Sequence, residues 1–427
     1  MKRLGQIIRV LLVNFVVLIV LFGSVELYFR LRGGGEETPD NGLWQVFRPY
    51  VMFTTKPGRY DAWSNQFTGE RIASTVTTNS LGFNDPHEFD YTKPYDKAPN
   101  EEVVLFTGGS AAWGVGASAT DKTVAGRMQD YLNRLQTGAK YTVINIAMGS
   151  YIAYQQFLAM SLWGQPFHPD WVVSMDGIND ASVGCGYSQG IGNPMYFAAI
   201  NAYVSAYMYG TPHPVFYRGW LENQIIKYSA AYRALTGKRY VPDPLVLDPT
   251  SDEPLTARLA VIPTKIGDAR GILAFYLKGE GAMLELFPHA KFILSTQPSV
   301  NDFRGDFVDI YDSPLASDAH RAAAAAREAA LEQYLAFYQG QPCGHDHAQV
   351  SFTYGFVDGA IELERLVDDQ RGLGRDVQYY NVGTELPDDR EARKPFFIDP
   401  VHLSDKGMDR LGHFYAEKIL AADGMAK

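Results

Sequence analysis

The chain has 427 residues and a formal net charge of -10, from 38 basic and 48 acidic side chains. With 46% hydrophobic and 20% charged residues it has the balance of a folded globular protein rather than a disordered one. No basic tract follows the first few residues, which excludes nucleic acid as a partner. The length accommodates one large domain or two ordinary ones.

The first predicted element is apolar. Ile7 to Phe29 is long enough, at about 1.5 Å per residue, to cross a hydrocarbon core of roughly 30 Å. Lys2, Arg3 and Arg9 precede its most apolar part and favour a cytoplasmic amino terminus, with the body exported; Arg30 and Arg32 act against that bias. A retained single-pass anchor over residues 1–32 is the expectation. A cleaved signal peptide, with small residues in "LFGSVE", is the alternative, although the stretch is long for a signal and has no A-x-A site. Asn14 and Glu26 interrupt the apolar run, and Glu26 is close enough to one end to reach the interface.

Residues 33–100 read as a flexible linker, Gly33 to Gly42, followed by an ordered lead-in that packs on the main domain. In the lead-in, alternating Thr and Val predict a short strand, and Asn79 to Pro86 predicts turns. From Glu101 strands and helices alternate. Val103–Phe106 is the first strand, and a helix over 123–135 has Thr120 or Asp121 available as its cap. "YTVINIAMGSY" is the second strand, ending at Gly149, and "PDWVVSMDGIND" the third; "KFILSTQP" and "VQYYNV" supply two more. Such alternation predicts a parallel sheet covered by helices on both faces.

Two insertions, at about 185–270 and 300–375, interrupt the domain expected over 101–427. Nine of the 26 tyrosines fall between Tyr187 and Tyr240; they can line a groove for a sugar or acyl chain, or pack a lid or secondary core. The second insertion contains an alanine-rich helix with Ser317 as its cap and Gly340 as its stop. Cys185 and Cys343 form a disulfide or remain separate thiols. "CGHDH", Cys343 to His347, has the composition of a metal-ligand cluster but no second cluster at zinc-site spacing, which favours a polar surface loop.

Four strand ends carry distinctive residues: Ser110, Gly149, Asn179, and "FFIDPVHLSDKG" beyond the fifth strand. In open parallel sheets that edge is where ligands bind. Asp399 and His402, three apart before a helix that Ser404 can cap, are spaced to hydrogen-bond directly, which fixes the imidazole tautomer and leaves its other nitrogen facing outward. Ser110 is the hydroxyl available to it, and serine needs such a base to act as a nucleophile. The Ser110 and Gly149 amides and the Asn179 side chain can supply donors for an oxyanion. Turn and cap roles account for each of these residues singly, but not for their meeting at one sheet edge.

In this order, "TGGSAAWG", "NIAMGSY", "DGIND" and "DPVH" resemble the four blocks of the SGNH (GDSL-like) hydrolase superfamily. The resemblance spans Val103 to Leu420 in its blocks and strands, not in the insertions. It implies a three-layer α/β sandwich with a five-stranded parallel, flavodoxin-like sheet, a Ser110, His402, Asp399 catalytic triad and an oxyanion hole of Ser110, Gly149 and Asn179. Gly109 replaces the usual Asp, as in the "GGS" variant of membrane-anchored relatives that often carry an upstream "NSLGF", here Asn79 to Phe83.

The resulting expectation is a membrane-anchored serine esterase facing the periplasm of a bacterium, without metal or organic cofactor. Its expected substrate is an O-acyl, notably O-acetyl, ester on a cell-envelope or secreted polysaccharide, or a small ester. The same triad equally suits a polysaccharide O-acyltransferase beside a membrane-embedded acyl donor protein. A non-catalytic envelope scaffold is the remaining class.

Overall fold

In a computed structural model of the chain, the described residues are 2–31, 45–90, 92–134, 138–183, 225, 228–236, 269–300, 363–387 and 389–424. The linker over 33–42, both cysteines, the "CGHDH" stretch, most of the Tyr-rich insertion and the alanine-rich helix lie outside them. Two compact units form, Met1–Gly42 with Ala199–Ser251 and Leu43–Ala198 with Asp252–Lys427.

In the first unit α1 is Lys2–Leu31. Its window Leu12–Phe29 is long and apolar enough to cross a membrane, and none of it is buried by protein.

The second unit opens with two antiparallel hairpins. One pairs β1 (Gln45–Arg48) with β2 (Met52–Thr55), the other β3 (Arg59–Ser64) with β4 (Arg71–Thr77). The main sheet then begins with β5 (Glu101–Gly108), followed by α2 (Ser110–Trp113), α3 (Val124–Arg134), β6 (Lys140–Asn145) and α4 (Ala153–Ala159). Next come β7 (Trp171–Asp176) and α5 (Ile178–Val183). In the first unit, α6 is Ala230–Thr236; the second resumes with α7 (Ala269–Leu286), β8 (Lys291–Thr296), β9 (Val377–Tyr380) and α8 (Asp405–Ala422).

All five strands are parallel, in the order β6-β5-β7-β8-β9. Strands buried on both faces need near-continuous apolar runs, and every residue of β7 is buried. Alternating side chains separate the two helical layers. Phe106 of β5 meets Tyr415 of α8, whereas its neighbour Thr107 hydrogen-bonds Gln156 of α4 at 3.1 Å. On that second face Ser174 of β7, paired with Thr107, donates to Glu280 of α7 at 3.1 Å. α3 packs with α8, and α4 with α7.

Two local expectations need correction. The cap of α3 is Thr123, whose Oγ1 accepts from the Gly126 N–H at 3.1 Å; Thr120 and Asp121 are used in the preceding 3-10 turn. β6 stops at Asn145, short of Gly149, because the chain then bends toward β5, where the Met148 N–H donates to the Gly108 carbonyl at 3.1 Å.

Candidate active site

The site is built at the carboxyl edge of β5, β7 and β8. Gly108, at the end of β5, has φ +148°, and a Cβ there would lie 2.2 Å from the Met175 carbonyl oxygen on β7. Only glycine lets the chain turn there without leaving the sheet. The turn places Ser110 at the first position of α2, where a backbone N–H has no intrahelical acceptor. Ser110 is 8% exposed, so it is enclosed yet reachable.

Beyond the fifth strand, Arg393 is buried and its guanidinium binds the carbonyls of Ser299 and Gly383 at 2.8 and 2.7 Å, fixing the approach to "DPVH". The turn closes when the Ile398 N–H donates to the His402 carbonyl at 2.9 Å. Ser404 then caps α8, as expected, by accepting from the Gly407 N–H. Inside this turn Asp399 Oδ1 accepts from the Val401 and His402 amides at 2.9 and 2.8 Å.

These contacts aim the other carboxylate oxygen, Oδ2, at His402 Nδ1, 2.6 Å away. His402 Nε2 lies 2.7 Å from Ser110 Oγ. Burial alone would raise the Asp399 pKa, but the imidazole and the two amides outweigh it and hold the carboxyl below its ordinary value. An ionised carboxylate can only accept, so Nδ1 carries the proton and Nε2 accepts from the serine hydroxyl.

Asn179, in the first turn of α5, donates Nδ2–H to the Tyr151 carbonyl at 2.8 Å. The same Nδ2 lies 2.5 Å from where a Cβ on Gly109 would sit, so the amide reaches the serine loop only because position 109 has no side chain. Gly149 stands between Met148 and Ser150, which adopts the left-handed φ of +66°. A non-glycine residue stays in that region when its surroundings over-determine it. The Tyr151 N–H closes the turn on the Met148 carbonyl, and Asp180 accepts from the Ala153 N–H at 3.1 Å. Neither the Ser110 nor the Gly149 amide has an acceptor among the described residues. Ser110, Asp399 and His402 are thus brought into one hydrogen-bonded line, with Asn179 against the serine loop.

The lead-in braces three of the four blocks. Trp113 Nε1 donates to the Gly82 carbonyl at 3.1 Å, and Asn84 Nδ2 to the Trp113 carbonyl at 2.8 Å, behind the serine. The Tyr151 hydroxyl donates to the Phe53 carbonyl at 2.7 Å, behind the glycine turn. The Gln66 N–H donates to the Ile398 carbonyl at 2.6 Å, beside Asp399. Sequence reasoning missed Tyr151 and Gln297. Gln297 is buried just beyond β8, and its Nε2 donates to the Val401 carbonyl at 3.1 Å. Its place at the same sheet edge was the available signal.

No protein-family model and no curated protein sequence matches the chain. Solved structures do. A lipase/acylhydrolase from Enterococcus faecalis is 12% identical, aligned over 75% of this chain and 96% of its own, with a TM-score of 0.35. A family 3 carbohydrate esterase from Clostridium thermocellum is 11% identical over 77% and 100%, at 0.33. A GDSL-like lipase from Bacteroides thetaiotaomicron is 11% identical over 75% and 89%, at 0.29. What decides the fold is the sheet order, with the four blocks following β5, β6, β7 and β9. The fold is SGNH-like. Within the SGNH-like unit, the described residues contain no group of three or more His, Cys, Asp or Glu able to hold a metal ion.

Proposed function

We propose that the chain is a serine esterase acting on O-acyl esters through an acyl-enzyme. The observation that carries this reading is the line Asp399, His402, Ser110, with hydrogen bonds of 2.6 and 2.7 Å. Ser110 Oγ attacks the ester carbonyl carbon as its proton passes to His402 Nε2; Asp399 stabilises the imidazolium. The negative charge on the carbonyl oxygen is met by the Ser110 and Gly149 amides and by Asn179. Collapse expels the alcohol, which takes the proton from His402. Water then repeats the sequence on the acyl-enzyme and releases the acid.

In this reading α1 is retained as a single-pass anchor in a bacterial inner membrane, with the SGNH-like unit on the periplasmic or outer side. The substrate class is an O-acetylated glycan of the envelope or a secreted polysaccharide.

The test is hydrolysis of a chromogenic short-chain acetate ester by the full chain in detergent, beside Ser110→Ala and His402→Ala. Turnover lost in both variants is the expected result, and turnover undiminished in Ser110→Ala overturns the mechanism. If the wild type releases no acid but a serine-directed phosphonate labels Ser110, a glycan hydroxyl replaces water as acyl acceptor. That outcome makes the chain an O-acyltransferase, served by a membrane-embedded acyl donor.

A further inference from the structure

Glu26 lies within the apolar window of α1, three residues from its end. A carboxyl group at such a position is costly unless its oxygens are hydrogen-bonded. Its donors come from the first insertion. Glu26 Oε1 accepts from the Ala230 N–H at 2.7 Å, and Oε2 from the Ser229 hydroxyl and the Ala231 N–H, both at 3.0 Å. Ser229 Oγ in turn accepts from the Tyr232 N–H at 3.0 Å. α6 therefore packs along α1 with its opening turn seated on this one carboxylate.

The same segment leaves large apolar side chains uncovered: Ile225 is 44% exposed, Tyr228 65% and Leu235 74%. On α1, beside which α6 packs, Leu21, Phe22, Val25 and Leu27 are also exposed. The surrounding sequence, "IIKYSAAYRALTGKRY" from Ile225 to Tyr240, mixes Tyr, Ile and Leu with Lys and Arg. That is the composition of a segment at a membrane–water boundary, where aromatic rings and basic groups meet headgroups and aliphatic groups enter the acyl region.

We infer that Ile225 and residues 228–236 form a second membrane contact, lying in the headgroup–acyl boundary of the bilayer beside the carboxyl-terminal end of α1 and fastened there by Glu26. The occupant of the exposed face is lipid. An apolar face of this kind sits about 5–10 Å into the boundary, a depth that suits Glu26 near the end of the span. This insertion belongs to the chain that leaves α5 just after Asn179 and Asp180. The SGNH-like unit is thus tied to the bilayer through two stretches of chain, the linker after α1 and the insertion after α5. The inference rests on α1 spanning the membrane and is independent of the esterase reading.

The test uses the full chain in phosphatidylethanolamine–phosphatidylglycerol vesicles, with p-benzoylphenylalanine placed in turn at Leu235 and at Val17, and lipid adducts read by mass spectrometry after illumination. Lipid adducts at both positions are expected, with Glu26→Ala cutting the yield at Leu235 severalfold and leaving Val17 unchanged. Lipid adducts at Val17 alone overturn the inference. So does a protein–protein adduct at Leu235, which would make a second copy the occupant, and so does a yield at Leu235 indifferent to Glu26→Ala. No adduct at either position shows that α1 is not in the bilayer, and the anchor reading falls with the inference.

Discussion

At position 109 a single methyl group separates two architectures. Its Cβ would lie 2.5 Å from Asn179 Nδ2 and 3.5 Å from Gln297 Oε1, so Gly109→Ala must push Asn179 off the serine loop. Displacing one oxyanion donor costs on the order of 10²- to 10³-fold in kcat. That loss, with KM little changed, is the expected result for ester turnover; unchanged kcat would remove Asn179 from the oxyanion site. Asp399 makes a second case. Asn in its place can still accept from the Val401 and His402 amides, but its Nδ2–H favours the wrong imidazole tautomer. Asp399→Asn is expected to lower kcat about 10⁴-fold and, because the favoured carboxylate is gone, to lower the denaturant midpoint at neutral pH but not at a pH below the Asp399 pKa. The same group sets an acid limit. Its folded pKa is depressed below the unfolded value, so its contribution to stability is present above the unfolded pKa and is lost as pH falls through the folded one.

Among elements, the two N-terminal hairpins do the bracing, and Tyr151 tests how far the site depends on them. Tyr151→Phe keeps the edge-on packing against Phe53 and deletes only the hydroxyl that donates to the Phe53 carbonyl. A buried hydrogen bond of this kind contributes about 1 kcal/mol, so a correspondingly lower urea midpoint is expected, with kcat falling because the Tyr151 carbonyl also holds Asn179. A fall in stability with kcat intact would confine the hairpins to scaffolding. This bracing was not legible in the sequence. Strand ends were, because Ser110 and Asn179 follow apolar runs whose burial forces them into the sheet; Asp399 and His402 are close in sequence, so their pairing follows from local geometry. Gln66 and Phe53 act through a backbone amide and a backbone carbonyl, which leave no mark on residue type, and the Tyr151 hydroxyl finds its acceptor 98 residues away in the sequence. The left-handed Ser150 is equally silent, since serine gives no sign of a positive φ that glycine would have announced. The cap of α3 shows the same limit at its smallest: Thr120 and Asp121 are the candidates in the sequence, and Thr123, read there as the first helical residue, is the one whose hydroxyl the turn presents to the helix.

For the whole molecule the unusual feature is a layer of acid groups buried behind the site. Asp176 at the end of β7, Asp180 on α5 and Glu280 on α7 face one another, with the Tyr276 hydroxyl of α7 and Gln156 of α4 beside them and Tyr379 of β9 beyond. Among the described residues Glu280 Oε2 and the Tyr276 hydroxyl have no hydrogen-bond partner. Among the described residues no basic side chain offsets these carboxyls. Burial pushes Asp176 up to about 7, and burial together with the neighbouring carboxyls pushes Asp180 and Glu280 well above their ordinary values. A raised carboxyl pKa means that the folded chain binds a proton the unfolded chain has released. The contribution of Asp176 to stability therefore falls as pH rises from the unfolded pKa, near 4, through about 7, and levels off above it. For Asp176 alone the loss is on the order of a few kcal/mol. Asn copies the shape of the protonated acid and cannot ionise. Asp176→Asn should thus leave the urea midpoint nearly unchanged at about pH 3.5, raise it progressively up to pH 8, and flatten the decline between them. Asp180 and Glu280 remain, so a shallower decline persists. Equal slopes in the two proteins would mean that Asp176 is already ionised in the folded chain, paired with a donor that offsets its burial.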